Sequence, residues 1–257
     1  MYWQNCLIPD HKDRTNGQIE RILNSRVTPM SAEARRRAYL KALEIDVYTM
    51  RGQGAEGEAL GCDEGEQDED SLLDWDSLRE KVASCTRCSL HQSRTQTVFG
   101  VGSQSADWMI IGEAPGAEED RRGEPFVGRA GKLLDEMLRA VHLSRDSVFI
   151  ANILKCRPPN NRDPSAEETA SCRGYLARQI ELVSPKIIVA VGRIAAQLLL
   201  ETDAPLGSLR GQKHQLGHGQ VPVIVTYHPA YLLRSPTQKR KAWQDLCLAR
   251  KVMEEQS

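Results

Sequence analysis

Four of the seven cysteines are spaced in a way that suits metal or cluster ligation. Cys85 and Cys88 form a C-x-x-C pair, and Cys156 and Cys172 lie far downstream around a loop rich in Pro and Asn. Because the cysteine count is odd, a disulfide framework is disfavoured. The spacing fits a zinc ion and a [4Fe–4S] cluster equally well, and four unrelated buried cysteines stay the alternative.

A second segment that could form a binding or catalytic site is GEAPGAEEDRRGEPFVGRAG, residues 112–131. It combines a Gly-x-x-Pro-Gly turn, three consecutive acids and a Gly-rich approach to a predicted helix. Such a loop presents backbone N–H groups that can hold an anion or the edge of a base. A structural turn with a solvated acidic flank fits the same residues.

Two single side chains follow predicted strands. Asn152 offers an amide donor and an acceptor side by side, which match the Watson–Crick edge of a pyrimidine. His228 stands before Pro229 at the end of the last predicted strand. The plainer interpretations are a loop-capping Asn and a structural His.

The elements that position these residues alternate between strand and helix. The runs WMIIG, SVFIANIL, KIIVAVG and VPVIVT are continuously apolar, which is typical of parallel strands buried on both faces. Helical patterns lie between them, one of them predicted to open at Asp163–Pro164. Another is the closing helix, in which Cys247 is predicted to be a residue of the protein core. The sequence therefore predicts an α/β fold with its site at the carboxyl ends of the strands.

Charge is unevenly distributed along the chain. The net charge is −1, but residues 52–70 carry eight acidic side chains and no Lys or Arg, which predicts a disordered linker. The linker separates an N-terminal extension, residues 1–51, from a folded domain, residues 71–257. In the extension, residues 31–44 are predicted to be helical and IDVYTM to be a short strand. The excess of basic residues in 71–257 permits nucleic-acid binding.

Nothing in the sequence predicts a membrane protein. Apolar runs of about 18 residues are absent, and the first residues lack the order of a signal peptide. We expect a cytoplasmic monomer without membrane contact. The N-terminal extension is a candidate for binding a protein partner.

Taken in order, the motifs resemble those of the family 4 (type a) iron–sulfur uracil-DNA glycosylases of bacteria and archaea. The similarity runs over residues 80–253 and rests on C-x-x-C, GEAPG-x-E-E-D, G-x-PFVGRAG-x-LL, N-x-x-KCRPP-x-NR-x-P, the later cysteine and HPAYLLR. It implies a three-layer α/β/α sandwich around a four-stranded parallel sheet. It also implies a monofunctional enzyme that flips uracil out of single- or double-stranded DNA, hydrolyses its N-glycosidic bond and leaves an abasic site.

The resemblance also implies a role for each matching residue. The four cysteines named above would hold a structural [4Fe–4S] cluster. Phe126 would stack on the uracil, Asn152 would pair with O4 and N3, and His228 would donate to O2. Glu119 would sit near C5, and Glu113 with the backbone of Ala114 would line the pocket beside the sugar. The best-known uracil glycosylases have an Asp at the position of Ala114, so Glu113 and Glu119 are left as candidates to activate water.

The segment after His228 supplies a candidate DNA wedge, which consists of Tyr231, Leu232, Leu233 and Arg234.

Three rival classes are disfavoured by the sequence. A covalently acting relative needs a His in a Lys/Arg-rich insertion, whereas KCRPPNNRDP has none. A nucleotide-binding redox protein would need a G-x-G-x-x-G after a strand. A binding module without activity would leave the joint presence of Phe126, Asn152 and His228 unexplained.

Overall fold

The structure is a computed structural model that describes residues 70, 72–217 and 221–256. The predicted N-terminal extension, its helix at 31–44 and its short strand lie outside the described residues. So does the predicted linker, apart from its last residue.

One six-stranded sheet forms the centre of the described domain, with the strand order β1-β3-β2-β4-β6-β5. The strands are β1 (Val101–Gly102), β2 (Trp108–Gly112), β3 (Phe149–Asn152), β4 (Ile187–Val191), β5 (Lys213–Leu216) and β6 (Val221–Thr226). The four inner strands are parallel to one another and correspond to the four apolar runs. The predicted four-stranded parallel sheet is thus confirmed as the core of a larger sheet.

Two antiparallel edge strands extend the sheet beyond the prediction. β1 is only two residues long and pairs with β3, and β5 pairs with β6. The sequence of β5, KHQL, alternates between exposed and half-buried positions and contains no apolar run. An edge strand has one open side, so its polar residues are tolerated. The continuous apolar run that predicted each inner strand is therefore missing from β5.

Helices cover both faces of the sheet and produce the predicted three-layer sandwich. They are α1 (Trp75–Ala83), α2 (Ala117–Arg122), α3 (Arg129–Ala140), α4 (Ala166–Val183), α5 (Arg193–Leu199), α6 (Leu206–Leu209), α7 (Pro229–Arg234) and α8 (Lys239–Glu254). Short 3-10 turns occur at Ser89–Gln92, Pro159–Asn161 and Pro236–Gln238. Along β2, Met109 and Ile111 face one core cluster while Trp108 and Ile110 face the other. This alternation is the period of two that a strand imposes on its side chains.

The start of α4 differs from the prediction. The sequence places the cap at Asp163, but the helix begins at Ala166 behind Ser165. Ser165 and Glu168 form a capping box, in which each side chain bonds the other residue's backbone N–H. Asp163 forms an ion pair with Arg193 at 2.9 Å instead.

Two short helices replace predicted loops. α2 follows the Gly-x-x-Pro-Gly turn, with acids in its first turn and arginines in its last, which suits the helix dipole. α7 begins at Pro229 directly after His228, whose ring caps it. Six residues are too few for a helical period to stand out in a sequence.

Two residues differ in burial from what the sequence indicates. Asp70, the last residue of the predicted linker, is fully buried and bonds Arg87 at 2.5 and 2.9 Å. Cys247 is exposed, so its prediction as a core residue is wrong. The buried side of α8 is formed by Ala242, Asp245, Leu246, Ala249 and Val252, which leaves position 247 on the other side.

In the described part of the chain, no helix is both long and apolar enough to span a membrane.

Candidate active site

The carboxyl ends of β2, β3 and β6 meet at one edge of the sheet. Gly112 and Asn152 are paired across β2 and β3. The backbone N–H groups of Ile153 and Leu154 donate to the carbonyls of Gly112 and Glu113, both at 3.0 Å. The loops that follow β2 and β3 are therefore held side by side, with Glu113 next to Asn152.

Asn152 carries a buried acceptor without a partner. The residue is 2% exposed, and its Oδ1 has no hydrogen-bond partner in the described part of the chain. Gly112 keeps the space in front of this atom open, since a Cβ there would collide with Oδ1 and lie 2.6 Å from Cζ of Phe126. Because buried polar atoms are normally paired, this oxygen marks a place where a donor from a ligand fits.

Phe126 forms one wall of the same pocket. Its ring is buried, and its centroid lies 5.6 Å from that of His228. The backbone has φ 54°, an uncommon conformation for an aromatic residue. Arg145 holds it there by donating to the carbonyls of Phe126 at 3.1 Å and Pro125 at 2.6 Å, and Asp135 in turn pairs with Arg145 at 3.0 Å. No motif in the sequence pointed to this role of Arg145.

Glu119 is tied to the loop that follows Phe126. Its Oε1 accepts hydrogen bonds from the backbone N–H groups of Val127 at 3.0 Å and Gly128 at 3.1 Å. The carboxylate therefore links α2 to the Phe126 loop.

His228 is a neutral imidazole with a defined donor nitrogen. Burial lowers its pKa to about 4; the charge of Arg234 acts in the same direction and that of Glu119 opposes it. The backbone N–H of Ala230 donates to Nδ1 at 3.1 Å. Since Nδ1 accepts, the single proton of the neutral ring is on Nε2, which is left free to donate.

Gly192, at the end of β4, leaves space for the side chain of His228. Its φ is 104°, and a Cβ would lie 3.1 Å from Cβ of His228. An alanine at this position would be strained and would press on the histidine.

Glu113 is a carboxylate of the site that changes charge near neutrality. Burial and the negative charge of Asp163 together raise its pKa to about 7, and Arg193 opposes the rise. Neighbouring Ala114 packs against the cluster of apolar residues around the cysteines, and its methyl group offers no hydrogen bond.

The four candidate wedge residues do not share one environment. Leu232 is 1% exposed and packs with Met137 and Leu246, so its prediction as a wedge residue is inconsistent with the structure. Tyr231 is half-buried and stacks on Tyr227 at 5.0 Å. Leu233, at 37% exposed, and Arg234 are the two that face outward.

All four predicted cysteine ligands line a single small cavity. Cationic side chains surround it. Arg94 donates to Sγ of Cys156 at 3.0 Å, and Arg87 lies over the ring of Tyr175 at 4.5 Å. Within the described residues, no group of three or more His, Cys, Asp or Glu side chains is arranged to hold a single metal ion.

Lys155 connects this cavity to the pocket of Asn152. It is 1% exposed, and its ammonium donates to the carbonyl of Asn152 at 2.8 Å and to Oε1 of Gln179 at 2.6 Å. Burial lowers its pKa to about 7, against the effect of nearby Cys172 and Cys156. The only signal in the sequence was its position between Asn152 and Cys156.

Comparison with known proteins identifies the family. The sequence profile of the Uracil DNA glycosylase superfamily matches residues 99–247. The type-4 uracil-DNA glycosylase of Archaeoglobus fulgidus is 43% identical over 176 residues, which cover 66% of this chain and 88% of that protein. This chain belongs to the type-4 uracil-DNA glycosylases. The bacterial type-4 uracil-DNA glycosylase of Thermotoga maritima is 45% identical over 159 residues, 62% of this chain and 82% of that protein.

Type-5 proteins of the same superfamily are less similar. The type-5 uracil-DNA glycosylase of Pyrobaculum aerophilum is 28% identical over 189 residues, 62% of this chain and 83% of that protein. As a member of the type-4 group, the chain acts in the excision of uracil from DNA.

Proposed function

We propose that this type-4 uracil-DNA glycosylase extrudes uracil from single- or double-stranded DNA and hydrolyses its N-glycosidic bond, releasing free uracil and leaving an abasic site. The observation that carries the proposal is the unpaired Oδ1 of Asn152, buried next to Phe126 and a neutral His228. The reacting bond is hidden inside a duplex, so the nucleotide has to leave the stack first, at a cost of a few kcal/mol.

Asn152 is proposed to select uracil. Its Oδ1 accepts from N3–H of the base, and its Nδ2 donates to O4. Cytosine has an acceptor at N3 and a donor at the neighbouring position, so it can form neither hydrogen bond. A site built around buried hydrogen bonds rejects a base that cannot make them, because its own polar atoms are then left unpaired. Phe126 stacks on the face of the bound uracil.

His228 is proposed to stabilise the departing base. Negative charge develops on uracil as the bond to C1′ breaks, and Nε2–H is the donor that can approach O2. A preorganised donor at such a position contributes about 3–4 kcal/mol in related oxyanion sites. The neutral ring suffices, because a hydrogen bond rather than a full proton transfer is needed.

Glu113 is proposed as the residue that activates water. Its raised pKa suits a general base near neutral pH. Ala114 has no polar side-chain atom for this task, and one carboxylate oxygen of Glu119 is engaged by the Phe126 loop. Glu119 is proposed as a positioning residue beside C5 of the base.

The rate of uracil release is expected to fall as the pH drops below about 7. Since the pKa of Glu113 is raised, its basic form is lost already in that range, and the single-turnover rate should fall about tenfold per pH unit below it. His228 adds no step there, because its pKa lies near 4. Glu113→Gln should be slower and should lose this dependence. An unchanged acidic limb in the variant would rule out Glu113.

Leu233 and Arg234 are proposed to fill the gap that the extruded nucleotide leaves. They are the outward-facing members of α7, next to the proposed donor His228. Tyr231, which stacks on Tyr227, is proposed to support these two residues.

The cysteine cavity is proposed to hold a [4Fe–4S] cluster through Cys85, Cys88, Cys156 and Cys172. Two observations support the fit: the four thiols line one cavity, and Arg94, which donates to Sγ of Cys156, would offset the negative charge of a bound thiolate. When bound, the cluster supplies a structural cross-link between loops, and hydrolysis needs no redox step. Lys155 extends that link to the backbone of Asn152.

Cys172→Ala is expected to purify with less iron and sulfide, without the visible absorption of an iron–sulfur centre, and with a lower free energy of unfolding. The physical reason is the loss of one ligand in a site whose binding energy contributes to folding. Cys247→Ala is the matched control, because that thiol is exposed and outside the cavity. Full iron content in Cys172→Ala, or equal losses in both variants, would contradict the assignment.

The enzyme is proposed to act as a monomer. The N-terminal extension, residues 1–51, stays a candidate for binding a protein partner.

A further inference from the structure

A row of cations continues from the wedge into α8. We use the term α8 basic face for Arg234, at the end of α7, and for Lys239, Arg240 and the exposed Trp243 of α8. None of its three cations forms an ion pair with another described residue. By contrast, Arg250 and Lys251, at the far end of the same helix, pair with Glu254 at 3.2 Å and Glu255 at 4.0 Å.

A buried network fixes the first turns of α8 at the active-site edge of the sheet. Asp245 is fully buried and accepts from Thr226, the last residue of β6, at 2.8 Å. Arg210 pairs with Asp245 at 2.7 Å and donates to the carbonyl of Lys241 at 2.6 Å. Because Thr226 precedes His228 by two residues, this network places the start of α8 near the end of β6 that carries His228.

Trp243 adds an aromatic surface to these charges. It is 45% exposed, whereas most large apolar side chains of the domain are buried. Lys239 and Arg240 precede it by four and three positions, so they lie on the same side of the helix. Cations that track a backbone beside an aromatic ring on which bases stack are the combination that binds single-stranded nucleic acid.

We propose that the α8 basic face binds the DNA segment that flanks the extruded nucleotide. Its cations contact successive phosphates, and Trp243 stacks on a base where the strand is unpaired. DNA is favoured over an acidic protein as the occupant because the face is continuous with the proposed wedge, Leu233 and Arg234. The inference rests on the proposed function and extends its DNA contacts beyond the uracil pocket.

The test compares Lys239→Gln/Arg240→Gln with Arg250→Gln/Lys251→Gln in the full-length protein. Binding of a uracil-free oligonucleotide is measured by fluorescence anisotropy over a series of salt concentrations. Removing one cation that binds a phosphate should reduce the slope of log K against log salt by about one, so the first pair should reduce it by about two. The second pair removes the same charge from the same helix and should leave the slope unchanged. An unchanged slope in the first pair, or equal changes in both, would overturn the proposal.

Trp243→Ala tests the stacking interaction separately. The side chain is exposed, so the melting temperature should stay the same. Affinity for a single-stranded oligonucleotide should fall about tenfold or more, and affinity for a duplex should fall much less. Equal losses for both forms would overturn the stacking interaction.

Because the probe contains no uracil, these outcomes are independent of catalysis. A protein that binds in this way but releases no base would refute the proposed function and leave the α8 basic face in place.

Discussion

His228→Ala is expected to lower the single-turnover rate of uracil release by about 10²- to 10³-fold. The variant lacks the Nε2–H donor that is proposed to meet the negative charge on O2 of the departing base. Binding of uracil-containing DNA should change much less, because the hydrogen bond gains most of its strength in the transition state. The measurement is rapid-quench base release with enzyme in excess over a uracil oligonucleotide.

The pH dependence of that loss separates a neutral donor from a charged one. Burial lowers the pKa of His228 to about 4, so the ratio between wild-type and variant rates should be constant through neutral pH. A ratio that grows below pH 7 would indicate an imidazolium and would contradict the assignment. His228→Gln, which keeps an N–H donor, should recover part of the rate.

Asn152→Leu is expected to move activity and stability in different directions. Loss of two hydrogen bonds, with the polar atoms of uracil left unpaired, should lower kcat/KM by about 10²- to 10⁴-fold. The free energy of unfolding should be unchanged or rise by about 1 kcal/mol, because an unpaired buried oxygen is replaced by an apolar group of similar size. Steady-state kinetics and denaturant unfolding measure the two effects.

Gln179→Leu is the matched control for that contrast. The amide of Gln179 is satisfied on both sides, since it accepts from Lys155 at 2.6 Å and donates to the carbonyl of Phe99 at 2.9 Å. The same substitution should therefore lower the free energy of unfolding by about 1–3 kcal/mol. If Asn152→Leu destabilised the protein as much as Gln179→Leu, Oδ1 of Asn152 would have a hydrogen-bond partner in the free enzyme. The proposal that this oxygen is unpaired until uracil binds would then be wrong.

The core of the fold was predictable because the four inner strands are apolar without interruption. β5 was not, since its edge position tolerates the polar sequence KHQL. The start of α4 was decided by the capping box of Ser165 and Glu168, a local pattern present in the sequence that outcompeted Asp163. Leu232 and Leu233 are adjacent and chemically alike, and only the packing of α7 separates the buried one from the outward-facing one.

The site was predictable where a side chain directly follows a strand, as Asn152 and His228 do. Arg145 was not predictable, because it holds the carbonyl of Phe126 from 19 residues away and depends on how α3 returns to the sheet. The buried state of Lys155 likewise follows from tertiary packing. The same holds for the protonation of His228, which the N–H of Ala230 and the burial of the ring determine.

The most direct test of the central claim is base release from a uracil-containing oligonucleotide, single-stranded and with a U·G pair, by protein purified without air. We expect free uracil and an intact strand with an abasic site from the wild type, and large losses with His228→Ala and Asn152→Leu at unchanged fold. Absence of free uracil with folded, iron-loaded wild-type protein, or full release by both variants, would contradict the proposed pocket.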